Sequence, residues 1–315
     1  MQPADAAMGA VASEEELLRI APLPHERVVY WGSGSPQGTG HLPYRSVCVS
    51  FSSGVLKAPF FRALNPRMRV PVLVEPVENA SQQPRSTAEG TTTNAETGST
   101  EVTAIAQGMS HLLSLPQQRV VVYESTAILE YLEKKYSSAP NMPSSLPLYA
   151  IAQTRMHEAN EILSVVGDLV VYLRRFPVEM RNAGVVATKW ATLEAELNLW
   201  ESYLDGRLFL VDADTPYLCD FTLFTNIAYA VRCGLRLDGL YPRLAVFYAR
   251  LCARESIAKT WPPHWKGSGG SNVLTKCFYC CSTDASKGSC CEPPTSATSS
   301  CTASPPPSQP LSHHS

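Results

Sequence analysis

The 315-residue sequence predicts an α/β N-terminal domain followed by an all-α helical-bundle domain. Three observations carry that expectation. Up to Tyr136, β-branched and aromatic runs bounded by glycine and proline alternate with short helical patterns. From Tyr149 to about Lys259 every patterned segment has helical spacing, interrupted at Pro177, Gly184, Gly206, Gly234 and Pro242. Charged residues make up 17% of the chain, below the roughly 25% usual for globular proteins, and the length accommodates two ordinary cores.

Residues 1–25 read as a flexible N-terminus, and "RVVYW", Arg27 to Trp31, as the first strand. After the turn-like "GSGSPQGTGHLP", the run "SVCVSF", Ser46 to Phe51, is the second strand. "VLKAPFFRALNP" has helical spacing among Leu56, Phe60 and Leu64 and stops at Asn65-Pro66. "VPVLV", Val70 to Val74, is a third strand, where Pro71 suits either a sheet edge or a strand beginning. Residues from about 76 to 118 turn to Thr, Ser, Asn, Gln, Glu and Gly, a low-complexity insert dividing a hairpin. "RVVVY" resumes the sheet, and "ESTAILEYLEKKY" is an amphipathic helix with Ile128, Leu129, Leu132 and Tyr136 on one side. Helices follow over about 149–176, 184–205, 217–233 and 242–259, giving a bundle domain over 149–265. Residues 266–315, rich in Cys, Ser and Pro, read as a disordered tail.

A net charge of -2 gives no footprint for nucleic acid or an anionic membrane. The longest apolar runs, "ILSVVGDLVVYL" and "FTLFTNIAYAV", fall short of the roughly 20 residues a bilayer needs. No secretory signal stands at the start, and the body holds only Cys48, Cys219, Cys233 and Cys252, so a reduced, cytoplasmic protein is expected. The tail's "CFYCC", "CC" and Cys301 leave three readings: no specific chemistry, palmitoylation that would tether the chain to a membrane, or a poorly spaced zinc site. No metal is expected.

"NPRMRVPVLV" followed by "VVVYESTAILEYLEKKY" resembles the thioredoxin-like domain of glutathione transferases, and the bundle resembles their second domain. "YWGSGSP", "AYAVRCGL" and "WPPHW" are most similar to the rho class, and the resemblance runs from about Val28 to Trp265 apart from the insert. It implies a thioredoxin-like glutathione-binding domain over 26–137, and a cis Val70-Pro71 bond whose outward backbone pairs with the cysteinyl part of glutathione like an added strand. The plainer alternative is a trans proline opening a strand. It also implies that Glu124 and Ser125, at a helix start, hold the ammonium and carboxylate of the γ-glutamyl end. Alternatively, Ser125 caps the helix while Glu124 favours its dipole.

For catalysis the resemblance implies a hydroxyl that stabilises the glutathione thiolate, with Ser35 as the best match and Ser33 and Tyr30 as weaker candidates. It further implies that the first helix of the domain is missing, because "SPQGTGHLPYRSV" passes directly from the turn to the next extended segment. Asp220 stands where the family caps a bundle helix, with Tyr217 in place of the capping Ser or Thr. Trp190, Trp200, Tyr203 and Tyr229 either line an apolar acceptor pocket or form core, and His264 of "WPPHW" is expected to pack. The implied function is conjugation of glutathione, a co-substrate with no further cofactor, to apolar electrophiles by a detoxifying homodimer. The alternative is a catalytically impaired binding or interaction scaffold.

Overall fold

A computed structural model describes residues 12–23, 25–32, 43–77, 119–137, 140–212, 214–266 and 268–275. The insert and most of the tail lie outside the described residues. The chain separates into two compact units, dividing after residue 139.

In the first unit, strands β1 (Val28–Gly32), β2 (Arg45–Val49), β3 (Val72–Pro76) and β4 (Arg119–Tyr123) lie in the order β2-β1-β3-β4. β1 and β2 run parallel with Val28 opposite Arg45, while β3 is antiparallel to β1 and β4. β3 is therefore interior, and Pro71 falls just before its ladder begins, where a missing N–H costs nothing.

Alternate residues of each strand go to opposite faces. On one face lie Val28, Tyr30, Val47, Val49, Val72 and Val74. The N-terminus corrects an expectation here. Helix α1 (Glu14–Ile20) forms in the segment read as flexible, with Ser13 Oγ accepting from Glu16 N at 3.1 Å, and it buries Leu17 and Ile20 against that face. Beside it sit Phe60, Phe61 and Leu64 of α2 (Pro59–Leu64). The single helix expected through "VLKAPFFRALNP" splits, because Pro59 starts a new helix after a 3-10 turn at Val55–Lys57. Val55 and Phe61 take the buried places, and Leu56 is only partly buried.

The opposite face has a smaller core of Val29, Leu73 and Ile128, the last from α3 (Ser125–Tyr136), with Tyr44, Tyr131 and Leu132 against it. On this face Glu75 has a fully buried carboxylate. Arg27 Nε and the Tyr136 hydroxyl donate to one oxygen at 2.8 Å each; Lys135 Nζ at 2.6 Å and the Tyr131 hydroxyl donate to the other. Burial alone would raise this carboxyl, but the four donors outweigh it and hold the group at about 2.

The second unit contains α4 (Leu146–Arg175), α5 (Ala183–Tyr203), α6 (Leu218–Arg232), α7 (Pro242–Cys252), α8 (Glu255–Thr260) and α9 (Pro263–Lys266). Its core runs along α4 and α6, where Asn226 donates its side-chain amide to the Ala159 carbonyl at 2.7 Å. Asp220 caps α6, its two oxygens accepting from Leu210 N and Tyr217 N at 2.8 Å each. Desolvation pushes this carboxyl up to about 6 against those donors. Glu201, a mostly buried carboxylate on α5, accepts from Arg243 N at 2.8 Å and Leu244 N at 2.9 Å, closing the first turn of α7. Among the described residues no helix is long and apolar enough to cross a membrane, and Cys48, Cys219, Cys233 and Cys252 form no disulfide.

Residues 268–275, expected to begin a disordered tail, instead clasp the end of α6. Ser271 N donates to Arg232 O and Leu274 N to Cys233 O, each at 2.8 Å, and Leu274 is buried. Two glycines permit this approach: a Cβ on Gly270 would lie 2.5 Å from Arg232 O, and Gly234, at φ +102°, has Ser271 O within 2.8 Å of the same position.

Candidate functional site

Several of the expected residues meet at one end of the four-stranded sheet. The last rung between β3 and β4 pairs Val72 with Tyr123, so Pro71 and Glu124 are neighbours one residue beyond it. On the other flank Val72 pairs with Tyr30, which brings the end of β1 beside Val70. A Cβ on Gly32 would sit 3.1 Å from Val70 Cγ2 and 2.4 Å from the Phe51 ring. Only a hydrogen at this position lets the exposed Phe51 lie across the strand end.

The Val70-Pro71 bond is cis. Among the described residues the Val70 backbone has no hydrogen-bond partner, which leaves an edge free for an added extended peptide. The loop before it is held by Asn65, whose buried side chain donates to Arg69 O at 2.8 Å and accepts from Arg67 N at 3.0 Å. Sequence reasoning took Asn65-Pro66 only as a helix stop; the buried amide inside a turn was the missed signal. Gly32 and Phe51 were likewise missed, since their proximity comes from the ladder rather than from spacing.

Glu124 occupies the cap position of α3 with φ +72°, and it makes no side-chain capping hydrogen bond. Among the described residues only Met68, at φ +53° in the Asn65 loop, shares a left-handed φ without being glycine. Such backbones cost about 1–3 kcal/mol each and concentrate at binding sites. Ser125 is the first helical residue and not the cap, so the first N–H groups of a twelve-residue helix open beside an exposed acid and an exposed hydroxyl.

No protein-family model matches the chain. The chain is 26% identical over 266 residues to glutathione S-transferase A of Pleuronectes platessa, covering 81% of this chain and 99% of that one. The crystal structure of a glutathione S-transferase from the Antarctic clam Laternula elliptica superposes with a TM-score of 0.59 at 28% identity, over 79% of this chain and 98% of its own. The chain has the glutathione transferase fold. Ure2p in complex with glutathione shares the architecture at a TM-score of 0.56 and 15% identity, over 76% of this chain and 99% of its own.

Within this glutathione transferase fold the weaker catalytic candidate Tyr30 is removed. It is fully buried, donates its hydroxyl to Ile20 O at 2.7 Å, and stacks edge-on to Phe60 and Phe61. Desolvation raises its phenol far above the ordinary value. Ser33, which follows Gly32, and Ser35 lie outside the described residues. The side chain of His264 does too. Trp200 is core, donating Nε1 to Glu196 at 2.7 Å, with Tyr203 edge-on to it under the Arg155 guanidinium; Trp190 and Tyr229 are half-buried.

A cleft of about 580 Å³ lies at the opposite end of the sheet, lined by His25, Glu26, Arg27, Tyr44, Arg45 and Tyr136 among others. Its arginines are already engaged by Glu75, Glu26 and backbone carbonyls.

Proposed function

We propose that this chain binds glutathione at the Val70 end of the sheet and transfers it, as thiolate, to an apolar electrophile. The observation that carries this reading is the cis Val70-Pro71 edge standing beside Glu124, whose backbone is held at φ +72° at the open start of α3. The Val70 backbone pairs with the cysteinyl unit, Glu124 takes the ammonium, and Ser125 with the first N–H groups of α3 takes the γ-glutamyl carboxylate. Solved structures of Ure2p and of a Methylobacillus flagellatus transferase contain bound glutathione, which supports the same ligand here. Ser35 supplies the hydroxyl to sulfur. Lowering a thiol pKa of about 8.5 by two units asks for about 2.7 kcal/mol of preferential thiolate stabilisation. The proposal places the enzyme in the cytoplasm as a homodimer.

A second reading, a ligand-binding scaffold with impaired catalysis, is favoured by one observation. The parallel β1–β2 pair needs a crossover that returns the length of the strand, and only residues 33–44, twelve in all, are available for it. About a dozen residues is the lower limit for such a connection. Pro36, Gly38, Gly40 and Pro43 all fall among those twelve positions, and proline and glycine are the poorest helix formers.

Retention on immobilised glutathione, followed by conjugation of an activated chloroarene, tests both readings. Retention with turnover that falls at least tenfold in Ser35→Ala supports the enzyme. Retention with no turnover supports the scaffold. Equal retention by parent and the Glu124→Ala/Ser125→Ala double variant would remove the site itself.

A further inference from the structure

Charge in the second unit is sorted along the chain. Between Glu194 and Asp220 the sequence places seven carboxylates and one cation, Arg207; between Val171 and Leu193 it places four cations and one carboxylate, Glu179. Of those four, Lys189 is answered by Asp168, while Arg174, Arg175 and Arg181 form no ion pair among the described residues.

The fold adds apolar side chains to the same place. Val171 precedes Arg174 and Arg175 by three and four positions, so all three share a face of α4, and all three are exposed. Arg181 turns back to donate to Leu173 O at 2.8 Å and Phe176 O at 2.9 Å, which folds the 3-10 turn Val178–Met180 against the end of α4. Val178 and Met180 are each 69% exposed and Val171 63%. The clasp after α9 joins this surface: Arg174 Nη2 donates to Ser271 Oγ at 3.4 Å, and Arg232, at the end of α6, donates to Ser268 O at 3.1 Å. Large apolar side chains left in water between unanswered guanidinium groups match the boundary of a bilayer, where arginine meets phosphate headgroups and Val or Met enters hydrocarbon.

The point where the described chain ends favours a bilayer over a soluble acidic partner. Leu274 N donates to Cys233 O and Thr275 N to Asn272 O, so Thr275 is pinned beside the end of α6. "KCFYCC" follows at once, which keeps Cys277 within about 7 Å of chain from Thr275 and Cys281 within about 22 Å. Three thiols are thereby confined to the neighbourhood of the basic, apolar end.

We propose that the end of the second unit formed by Val171, Arg174, Arg175, Val178 and Met180 lies on an anionic bilayer, and that Cys277, Cys280 and Cys281 hold it there as fatty-acyl thioesters. Each thiol attacks the carbonyl of a long-chain acyl thioester: a new S–C bond forms, the donor's C–S bond breaks, and the thiol proton leaves with the donor's sulfur. One acyl chain alone gives only marginal binding, whereas two chains, or one beside a basic patch, anchor a protein stably. The inference goes beyond the glutathione reading and shares no residue with it.

Co-sedimentation of the unacylated full chain with vesicles tests the surface. It should bind phosphatidylcholine vesicles that contain phosphatidylserine and not vesicles of phosphatidylcholine alone. Arg174→Gln/Arg175→Gln should weaken that binding about thirtyfold, about fivefold for each charge removed, and Arg207→Gln should leave it unchanged. Val178→Ser/Met180→Ser should weaken it about tenfold. In cells that S-acylate proteins, the full chain should take up an alkynyl fatty acid in hydroxylamine-labile form and sediment with membranes; Cys277→Ser/Cys280→Ser/Cys281→Ser should lose the label and become soluble. A parent that does not prefer anionic vesicles overturns the proposal, even if a variant fails to fold. So does binding unaffected by Arg174→Gln/Arg175→Gln. Binding unaffected by Val178→Ser/Met180→Ser overturns it too, assigning the arginines to a soluble polyanion. No label in cells that label an acylated control, or label kept by the cysteine variant, overturns the anchor.

Discussion

Tyr30 donates its hydroxyl to the main-chain carbonyl of Ile20 at 2.7 Å, tying the middle of β1 to the end of α1 through the centre of the larger core. Arg45 strengthens the tie by donating to the carbonyls of Arg19, Ile20 and Ala21. Starting the chain at Glu26 should therefore cost up to about 4 kcal/mol through the loss of Leu17 and Ile20 burial alone. Tyr30→Phe should cost only about 1 kcal/mol, because Arg45 still answers the carbonyl. Urea unfolding of both variants checks the ratio, and a truncated chain as stable as the parent would refute the role of α1.

Glu75 sets an acid limit on the first unit. Its folded pKa of about 2 lies below the ordinary value of 4.5, so its stabilisation is complete above about pH 4.5 and is lost as pH falls toward 2. The depression corresponds to about 3 kcal/mol. Glu75→Gln should take the buried carboxylate away from Arg27 and Lys135, cost about 3–5 kcal/mol at pH 7, and flatten unfolding free energy between pH 4.5 and 2. A variant that keeps the parent's acid profile would show that other carboxylates govern it.

At Glu124, backbone and side chain make separable contributions. Glu124→Ala keeps the left-handed backbone and removes the carboxylate, so thermal stability should hold or fall slightly while glutathione retention is lost. Glu124→Gly relieves a strain of about 1–3 kcal/mol and gives back up to about 1 kcal/mol in unfolded-chain entropy, so it should be at least as stable as the alanine variant. Both should fail to bind. Binding by either one would dismiss the ammonium role.

The clasp after α9 yields a paired comparison. Ending the chain after Thr275 should change nothing in the second unit, while ending it after Lys266 should cost about 2 kcal/mol with the burial of Leu274. Gly270→Ala, whose methyl would meet Arg232 O, should destabilise; Gly269→Ala, with open space around it, should not. Thermal melts of the four chains decide it.

The parts of the fold that could be read from residues are those whose signal is local. "RVVVY" and "RVVYW" carry enough β-branched density to fix strands within a residue of β4 and β1, and "ESTAILEYLEKKY" places α3 from its apolar spacing. Helix α1 was legible in principle, since Ser13 three residues before Glu16 and the Leu17–Ile20 spacing form a start signal, but seven residues among polar neighbours read as a fraying terminus. The clasp read as a linker because Gly/Ser composition signals freedom, and only contact with Arg232 and Gly234 shows that the glycines serve close packing. Glu75 could not be anticipated at all: its partners stand 48 to 61 positions away in sequence, and a lone acid in "VPVLVEP" predicts an exposed strand end. At the site, Pro71 and Glu124 were each marked by the resemblance, while Gly32 and Phe51 needed the ladder register and Asn65 the hydrogen bonds of its own turn.

Pro76 and Arg119 face each other on the outermost rung of the β3–β4 ladder, and Arg119 is anchored by the carbonyls of Glu26 and Leu23. The two roots of the 42-residue stretch 77–118 are thus held together by the sheet itself, independently of the covalent path between them. A protease that severed that path would turn one polypeptide into two that stay associated through five rungs and a shared core. New termini could be opened there, with a cargo or reporter domain seated between them, and the Val70 end of the sheet would register no difference.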